Sequence, residues 1–213
     1  MPTLAVLPIK SYGRAKQRLG GAVEGVERRA LAEAMAGDVL EALGSVRGLD
    51  GVIVVSSEWV GVDVEVVHDP DEAGQSAAAA RGVRAAVARG AQRVLLVPGD
   101  CPALDPDEVA TLLDTAGPGV VIVPDRHGSG TNALLIEPPA VVGPAFGPGS
   151  FARHAALAHA AGARVRVAHA PSLELDVDTP GDLEALRAAL DARVGGAART
   201  RALLARLAGA HAA

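Results

Sequence analysis

The chain carries two lysines, Lys10 and Lys16, and both lie in the segment LPIKSYGRAKQRL, directly after an apolar run. Every other fixed cation is an arginine. A lysine is a compact point charge rather than a planar fork. A loop combining such charges with Ser11, Gly13, Arg14 and Arg18 suits a triphosphate, whose charge must be neutralised before a nucleophile approaches. A solvated basic turn fits the same residues. The segment is neither G-x-G-x-x-G nor G-x-x-x-x-G-K-[ST], so the common dinucleotide and P-loop fingerprints are absent.

Other stretches could share that chemistry. In PGDCPAL, Asp100 ends an apolar run behind Gly99. Such a carboxylate can hold magnesium, which takes one or two protein carboxylates and fills its shell with phosphate and water. The plainer alternative is a turn aspartate bonded to its own backbone. In LELDVDTPGDL, Asp176 and Asp178 alternate along an extended segment and so share a face. One of them could complete a metal site with Asp100, while Asp182 belongs to a helix start. In DRHGSGTNALL, Asp125, Gly128 and Gly130 make a turn, and Thr131 and Asn132 offer donors at a strand start. Arg126 and His127 are either anion contacts or exposed loop residues. In FGPGSFARH, Gly147, Gly149 and Ser150 stand at a helix N-terminus, whose N–H groups and dipole favour phosphate or carboxylate. Ser150 as N-cap is compatible with that reading, and Arg153 and His154 in the first turn face either ligand or solvent. Gly74, Gln75 and Ser76 open an Ala-rich helix, where small residues would let a nucleobase approach backbone and amide groups. Helix capping by Ser76 or Asp71 is the alternative there.

These residues need a frame, and the hydrophobic pattern supplies one. Short β-branched runs at 3–9, 51–57, 64–69, 93–99, 119–125, 131–137 and 164–170 read as strands. Helical patterns lie near 26–43, 75–89, 106–116, 150–161 and 180–193. Asp105-Pro106-Asp107-Glu108 and Thr179-Pro180-Gly181-Asp182 each offer an N-cap, a proline at the first helical position and a reaching carboxylate. The alternation predicts an α/β fold with a mostly parallel sheet flanked by helices. The Gly-rich link before 131–137 is too short for a crossover, so that strand should be antiparallel and the sheet mixed. In such sheets ligands gather at the carboxyl ends of the strands, where the unusual residues fall. One domain is expected over 1–195, followed by a helical tail at 196–213 that could dock on the body or on a second subunit.

Composition narrows the function. Aromatics are 2 % of the 213 residues, too few for a base-stacking RNA module, and the net charge of −5 argues against nucleic-acid or membrane-surface partners. No apolar run reaches the roughly 18 residues of a membrane span. The N-terminus lacks a basic leader, so a cytoplasmic protein is expected. Cys101 is the single cysteine and reads as a small buried hydrophobe. The six histidines lack zinc-ligand spacing, and no G-x-S-x-G elbow is present.

Taken in order, LPIKSYGRAKQRL, PGDCPAL, DRHGSGTNALL, FGPGSFARH and LDVDTPGDL resemble the guanylyltransferases of deazaflavin coenzyme F-420 biosynthesis over about residues 3–190. The resemblance implies a single-domain nucleotidyltransferase fold of the glycosyltransferase-A-like, Rossmann-like type. It implies transfer of GMP from GTP to phosphoenolpyruvate or 2-phospho-L-lactate, with release of pyrophosphate. It assigns Lys10 and Lys16 to the GTP phosphates, with Ser11 and Arg14 beside them, and Gly74, Gln75 and Ser76 to the neighbourhood of the base. Asp100 would bind magnesium with Asp178 or Asp176, and Thr131, Gly147 and Ser150 would hold the phosphorylated acid. The Ala-, Gly- and Arg-rich composition of a GC-rich genome points to the phosphoenolpyruvate branch. The first loop departs from the L-A-G-G-x-x-x-R-M signature of molybdopterin nucleotidyltransferases. A molybdopterin guanylyltransferase, a methylerythritol-phosphate cytidylyltransferase and a non-catalytic nucleotide-binding protein are the alternatives, and the tail helix permits a homodimer.

Overall fold

The computed structural model describes residues 1–12, 19, 25–58, 64–115 and 117–210. Seven strands form one sheet: β1 (Thr3–Ile9), β2 (Gly51–Ser56), β3 (Glu65–His68), β4 (Arg93–Leu96), β5 (Gly119–Pro124), β6 (Thr131–Glu137) and β7 (Val165–Val167). Their spatial order is β3-β2-β1-β4-β6-β5-β7. β6 is antiparallel to both β4 and β5, and the remaining pairs are parallel, so the sheet is mixed as its short Gly-rich link requires. Each expected strand is present within a few residues of its sequence bounds, those at 93–99 and 164–170 shorter than their apolar runs.

Side chains alternate across the pleat, so each apolar run feeds two layers. Ala5, Leu7, Val54, Leu95, Val121 and Leu135 pack on one face, under α1 (Gly25–Gly44) and α3 (Pro106–Thr115). Val6, Ile53, Val55, Leu96, Ile122 and Leu134 pack on the other, under α2 (Gln75–Ala88) and α4 (Ser150–Ala160). On this second face α2 lies against the strands at Gly82. A Cβ built there would stand 2.2 Å from Val6 Cγ1 and 2.8 Å from Val55 Cγ2. The glycine therefore sets how closely the helix can sit.

A third apolar cluster lies on the outer side of α1. It joins Leu31 and Met35 to Leu183, Leu186 and Leu190 of α6 (Pro180–Asp191) and to Leu203, Leu204 and Leu207 of α7 (Ala198–Ala210). The expected tail helix is thus docked on the body. Buried Asp38 in α1 accepts the first-turn N–H groups of Arg199 at 3.0 Å and Thr200 at 2.7 Å, capping α7 from another helix.

Both signposted helix starts are real, with one difference. Thr179 and Asp182 form a reciprocal capping box on α6. Asp105 Oδ1 accepts Asp107 N–H at 2.9 Å, but Glu108 does not reach back to residue 105. Its Oε2 instead accepts Ser172 N–H at 3.0 Å, and Ser172 Oγ accepts Asp105 N–H at 2.9 Å. Ser172 belongs to α5 (Pro171–Glu174), a single turn too short for a periodic signal.

Replacing Gly82 by Ala should lower stability by about 1–2 kcal/mol by thermal denaturation, because overpacking outweighs the gain in helix propensity. Asp105→Ala should cost about 1 kcal/mol for the lost cap and leave turnover unchanged.

Candidate active site

A cleft of about 780 Å³ opens at the carboxyl ends of the parallel strands. Because β6 runs the other way, its amino end, Thr131 and Asn132, lies at the same edge. Lys10 after β1, Asp100 after β4 and Gln75 at the start of α2 line the cleft, as do Thr131, Gly147, Ser150, Asp176 and Asp178. Ser11, Gly74 and Ser76 are not among the lining residues, and Arg14 and Lys16 lie outside the described residues.

One wall is acidic. Val177 is buried in the core and donates its N–H to the Asp100 carbonyl at 3.1 Å, which fixes its neighbours Asp176 and Asp178 beside Asp100. Burial, and then the proximity of Asp100, pushes the Asp176 carboxyl up to about 6. A hydrogen bond from Asn132 Nδ2 at 3.1 Å works against that shift, and Asp178 adds to it. The same Asn132 amide donates to the Leu173 carbonyl at 2.9 Å, tying β6 to α5. Among the described residues no three His, Cys, Asp or Glu side chains form a ready-made metal cage.

Asp182 stays out of this cluster. It accepts N–H bonds from Asp178 at 3.0 Å and Thr179 at 2.7 Å and pairs with Arg126 at 2.5 Å. Burial opposes its ionisation, but these donors and the guanidinium hold its carboxyl below the ordinary value. Arg126, read as an anion contact or an exposed loop residue, is thus tied to a structural carboxylate. Asp125 serves its own turn, accepting Ser129 N–H at 2.9 Å.

The opposite wall is a glycine loop ahead of α4. Gly147 has φ 111° and Gly149 φ 70°, left-handed conformations that a side chain would strain. Gly149, not Ser150, is the N-cap residue, and no side chain caps the helix. Ser150 is buried within the first turn; its N–H donates to Gly147 O at 3.0 Å, and Phe151 N–H donates to Ser129 O at 3.2 Å. Arg153 faces neither ligand nor solvent alone. Its guanidinium donates to the carbonyls of Ala145 at 3.2 and 3.1 Å, Phe146 at 3.2 Å, and Pro148. His154 is fully buried against Phe146, with ring centroids 5.1 Å apart in an edge-to-face arrangement. It bonds Thr131 Oγ1 through Nδ1 at 3.0 Å and accepts Ala145 N–H on Nε2 at 2.8 Å.

Near Gln75 the α2 N-cap is Gly74, with no side-chain cap, so neither Ser76 nor Asp71 plays that part. Ser76 Oγ donates to Phe146 O at 3.4 Å, and Asp71 pairs with Arg81 at 3.0 Å. Ser11 Oγ donates to Glu58 Oε1 at 2.6 Å, and Arg29 reaches Glu58 Oε2 at 3.2 Å. Tyr12 lies 6.0 Å beneath that guanidinium; its phenol is pushed up to about 12 by burial and by Glu33 and Glu58. Glu58 was not read from the sequence as a site residue, since nothing local marks it. Cys101 is buried 3.4 Å from the Leu173 carbonyl, as expected of a small packing residue.

Burial, and then the charge of Arg153, lowers His154 to about 4 from 6.5, so the folded chain keeps this ring neutral while the unfolded chain protonates it. The unfolded state then binds more protons between about pH 6.5 and 4, and stability falls on acidification through that window. A urea titration should show a loss of up to roughly 3 kcal/mol from this group. The pH slope should flatten in His154→Gln.

The sequence matches the family model "Guanylyl transferase CofC like" over residues 3–190. It is 50 % identical over 213 residues to the phosphoenolpyruvate guanylyltransferase of Conexibacter woesei, covering 96 % of each chain. Among solved structures, a nucleotidyl transferase from Methanothermobacter thermautotroptrophicus aligns with TM-score 0.63 at 24 % identity, covering 90 % of this chain and 99 % of that one. The CMP:2-keto-3-deoxy-manno-octonic acid synthetase complexed with CTP aligns with TM-score 0.60 at 14 % identity, covering 91 % and 100 %. The fold is that of the glycosyltransferase-A-like nucleotidyltransferases. With a family match over nearly its whole length and half its residues shared with a curated member, the chain belongs to the CofC-like guanylyl transferase family.

Proposed function

We propose that this protein transfers GMP from GTP to phosphoenolpyruvate and releases pyrophosphate. The observation that carries the reading is the convergence of Lys10, Asp100, Thr131, Ser150 and Asp176 on one cleft, in a chain of this family. Phosphoenolpyruvate is preferred to 2-phospho-L-lactate as acceptor because the relative sharing 50 % identity carries that name.

The acceptor attacks through a phosphate oxygen, which is already anionic at neutral pH. A new P–O bond forms at the α-phosphorus of GTP as the bond to the β-phosphate breaks, and no general base is needed. The task left to the protein is positioning and charge screening. Thr131, Gly147 and Ser150 hold the acid on the glycine-loop side, while Lys10 and Lys16 stabilise charge on the α-phosphoryl and the departing pyrophosphate. Gln75 stands on the nucleotide side.

The acidic wall fits magnesium: burial, and then the neighbouring Asp100, already disfavour ionisation of Asp176, and a divalent cation would offset that repulsion. Asp100 with Asp178 or Asp176 would hold the ion, leaving its other positions to phosphate oxygens and water. When bound, magnesium supplies electrostatic stabilisation of phosphoryl oxygens.

Pyrophosphate release measured with GTP, ATP or CTP against phosphoenolpyruvate, 2-phospho-L-lactate and 3-phosphoglycerate, with and without magnesium, tests the reading. GTP with phosphoenolpyruvate and magnesium should be the productive set. A preference for CTP, or nucleotide binding without turnover, would overturn it. Asp100→Ala and Lys16→Ala should each lower turnover by about 100-fold or more, the scale of losing a preorganised electrostatic contact.

A further inference from the structure

His154 is completely buried, yet both of its ring nitrogens are engaged. Ala145 N–H can only donate, so Nε2, 2.8 Å away, must be the unprotonated nitrogen. A neutral imidazole then carries its proton on Nδ1, which faces Thr131 Oγ1 at 3.0 Å. The hydroxyl is thereby the acceptor in that bond and keeps its own proton for another partner. Thr131 lines the cleft, and the β-bulge between Val123 and Pro124 sits opposite it, where β6 meets the cleft edge.

We propose that His154 is a positioning residue that fixes the polarity of the Thr131 hydroxyl, so that its proton is offered to the cleft as a donor to an anionic oxygen of the acceptor. This rests on the reading that the acceptor is a phosphorylated carboxylic acid held beside Thr131. An unconstrained hydroxyl is donor or acceptor by turns; one locked as donor favours a fully anionic ligand and disfavours a ligand that would itself donate. The ring suits this task because burial among apolar groups and the neighbouring Arg153 keep it neutral, so the direction of the bond does not change near neutral pH.

Two substitutions separate the two ends of the ring. His154→Asn can place an amide donor where Nδ1 stands, and His154→Gln can place a carbonyl acceptor where Nε2 stands. The expected result is that Thr131→Val and His154→Gln each raise KM for phosphoenolpyruvate about 10- to 100-fold, the effect of losing a hydrogen bond to a charged group. KM for GTP should be unmoved, and His154→Asn should stay within a few-fold of wild type. In the Thr131→Val background, His154→Gln should add nothing. Additive penalties, or a wild-type acceptor KM in His154→Gln, overturn the proposal. The wild-type protein with 15N-labelled histidine gives a second test that needs no substrate and no stable variant. A buried neutral ring protonated at Nδ1 is expected, and protonation at Nε2 overturns the assignment. Wild-type protein that releases no pyrophosphate defeats the assigned reaction instead, and the ring-nitrogen spectrum then decides the bond direction by itself.

Discussion

The direction of one strand governs the cleft. Six strands run so that their carboxyl ends meet at one edge, and ordinary parallel topology would leave only loops there. β6 is inserted between β4 and β5 in the opposite sense, which brings the first residues of a buried strand to that edge. Thr131 is paired with Pro124 of β5, and Asn132, at the register shift, is held by its amide bonds to Leu173 O and Asp176 Oδ1. The register shift opposite Pro124 sets which face each side chain takes: Thr131 points toward His154 of α4, and Asn132 toward Leu173 and Asp176. One dipeptide thus joins both walls of the cleft.

Those walls are electrically unlike. On one, burial and then the proximity of Asp100 make the Asp176 carboxyl resist ionisation, and Asp178 adds to the effect. On the other stand a neutral imidazole, hydroxyls and a glycine turn, while Asp125, which also lines the cleft, accepts Ser129 N–H within its own turn. A ligand that is anionic on the glycine-loop side and carries a cation on the acidic side would complement both. A nucleoside triphosphate with a phosphorylated acid has that character. Asp182 could have blurred the division, but its capping box and Arg126 remove it from the acidic cluster.

Much of this was legible in the chain, for identifiable reasons. Strand runs such as GVVIVP announce themselves because β5 is buried on both faces, and the brevity of the link to TNALLIE dictates an antiparallel pair. Asp100 and Thr131 drew attention at the end and the start of apolar runs, and Asp176 by its alternation with Asp178. What sequence could not reveal were partners distant along the chain. Ser11 looks like a phosphate donor until Glu58, 47 residues away, takes its hydroxyl proton. His154 looks like a first-turn residue facing ligand or solvent until Thr131, 23 residues away, claims its ring. Glu108 resembles the carboxylate of a capping box, but the one-turn helix α5 offers it Ser172 N–H instead. In each case local chemistry allowed two outcomes, and tertiary packing chose between them.

Arg153 has an implication for how the glycine loop can evolve. In a trans peptide the carbonyl and the following N–H point in opposite directions. A guanidinium that collects the carbonyls of Phe146 and Pro148 therefore turns the N–H groups of Gly147 and Gly149 away from itself. The loop acquires an electrical sidedness from a residue behind it, as a bar magnet is oriented by a hand at one pole. Lysine could keep the charge at 153 but not the planar fork that gathers three carbonyls. A sequence drifting from arginine to lysine there would look conservative and yet let the two glycine peptides rotate.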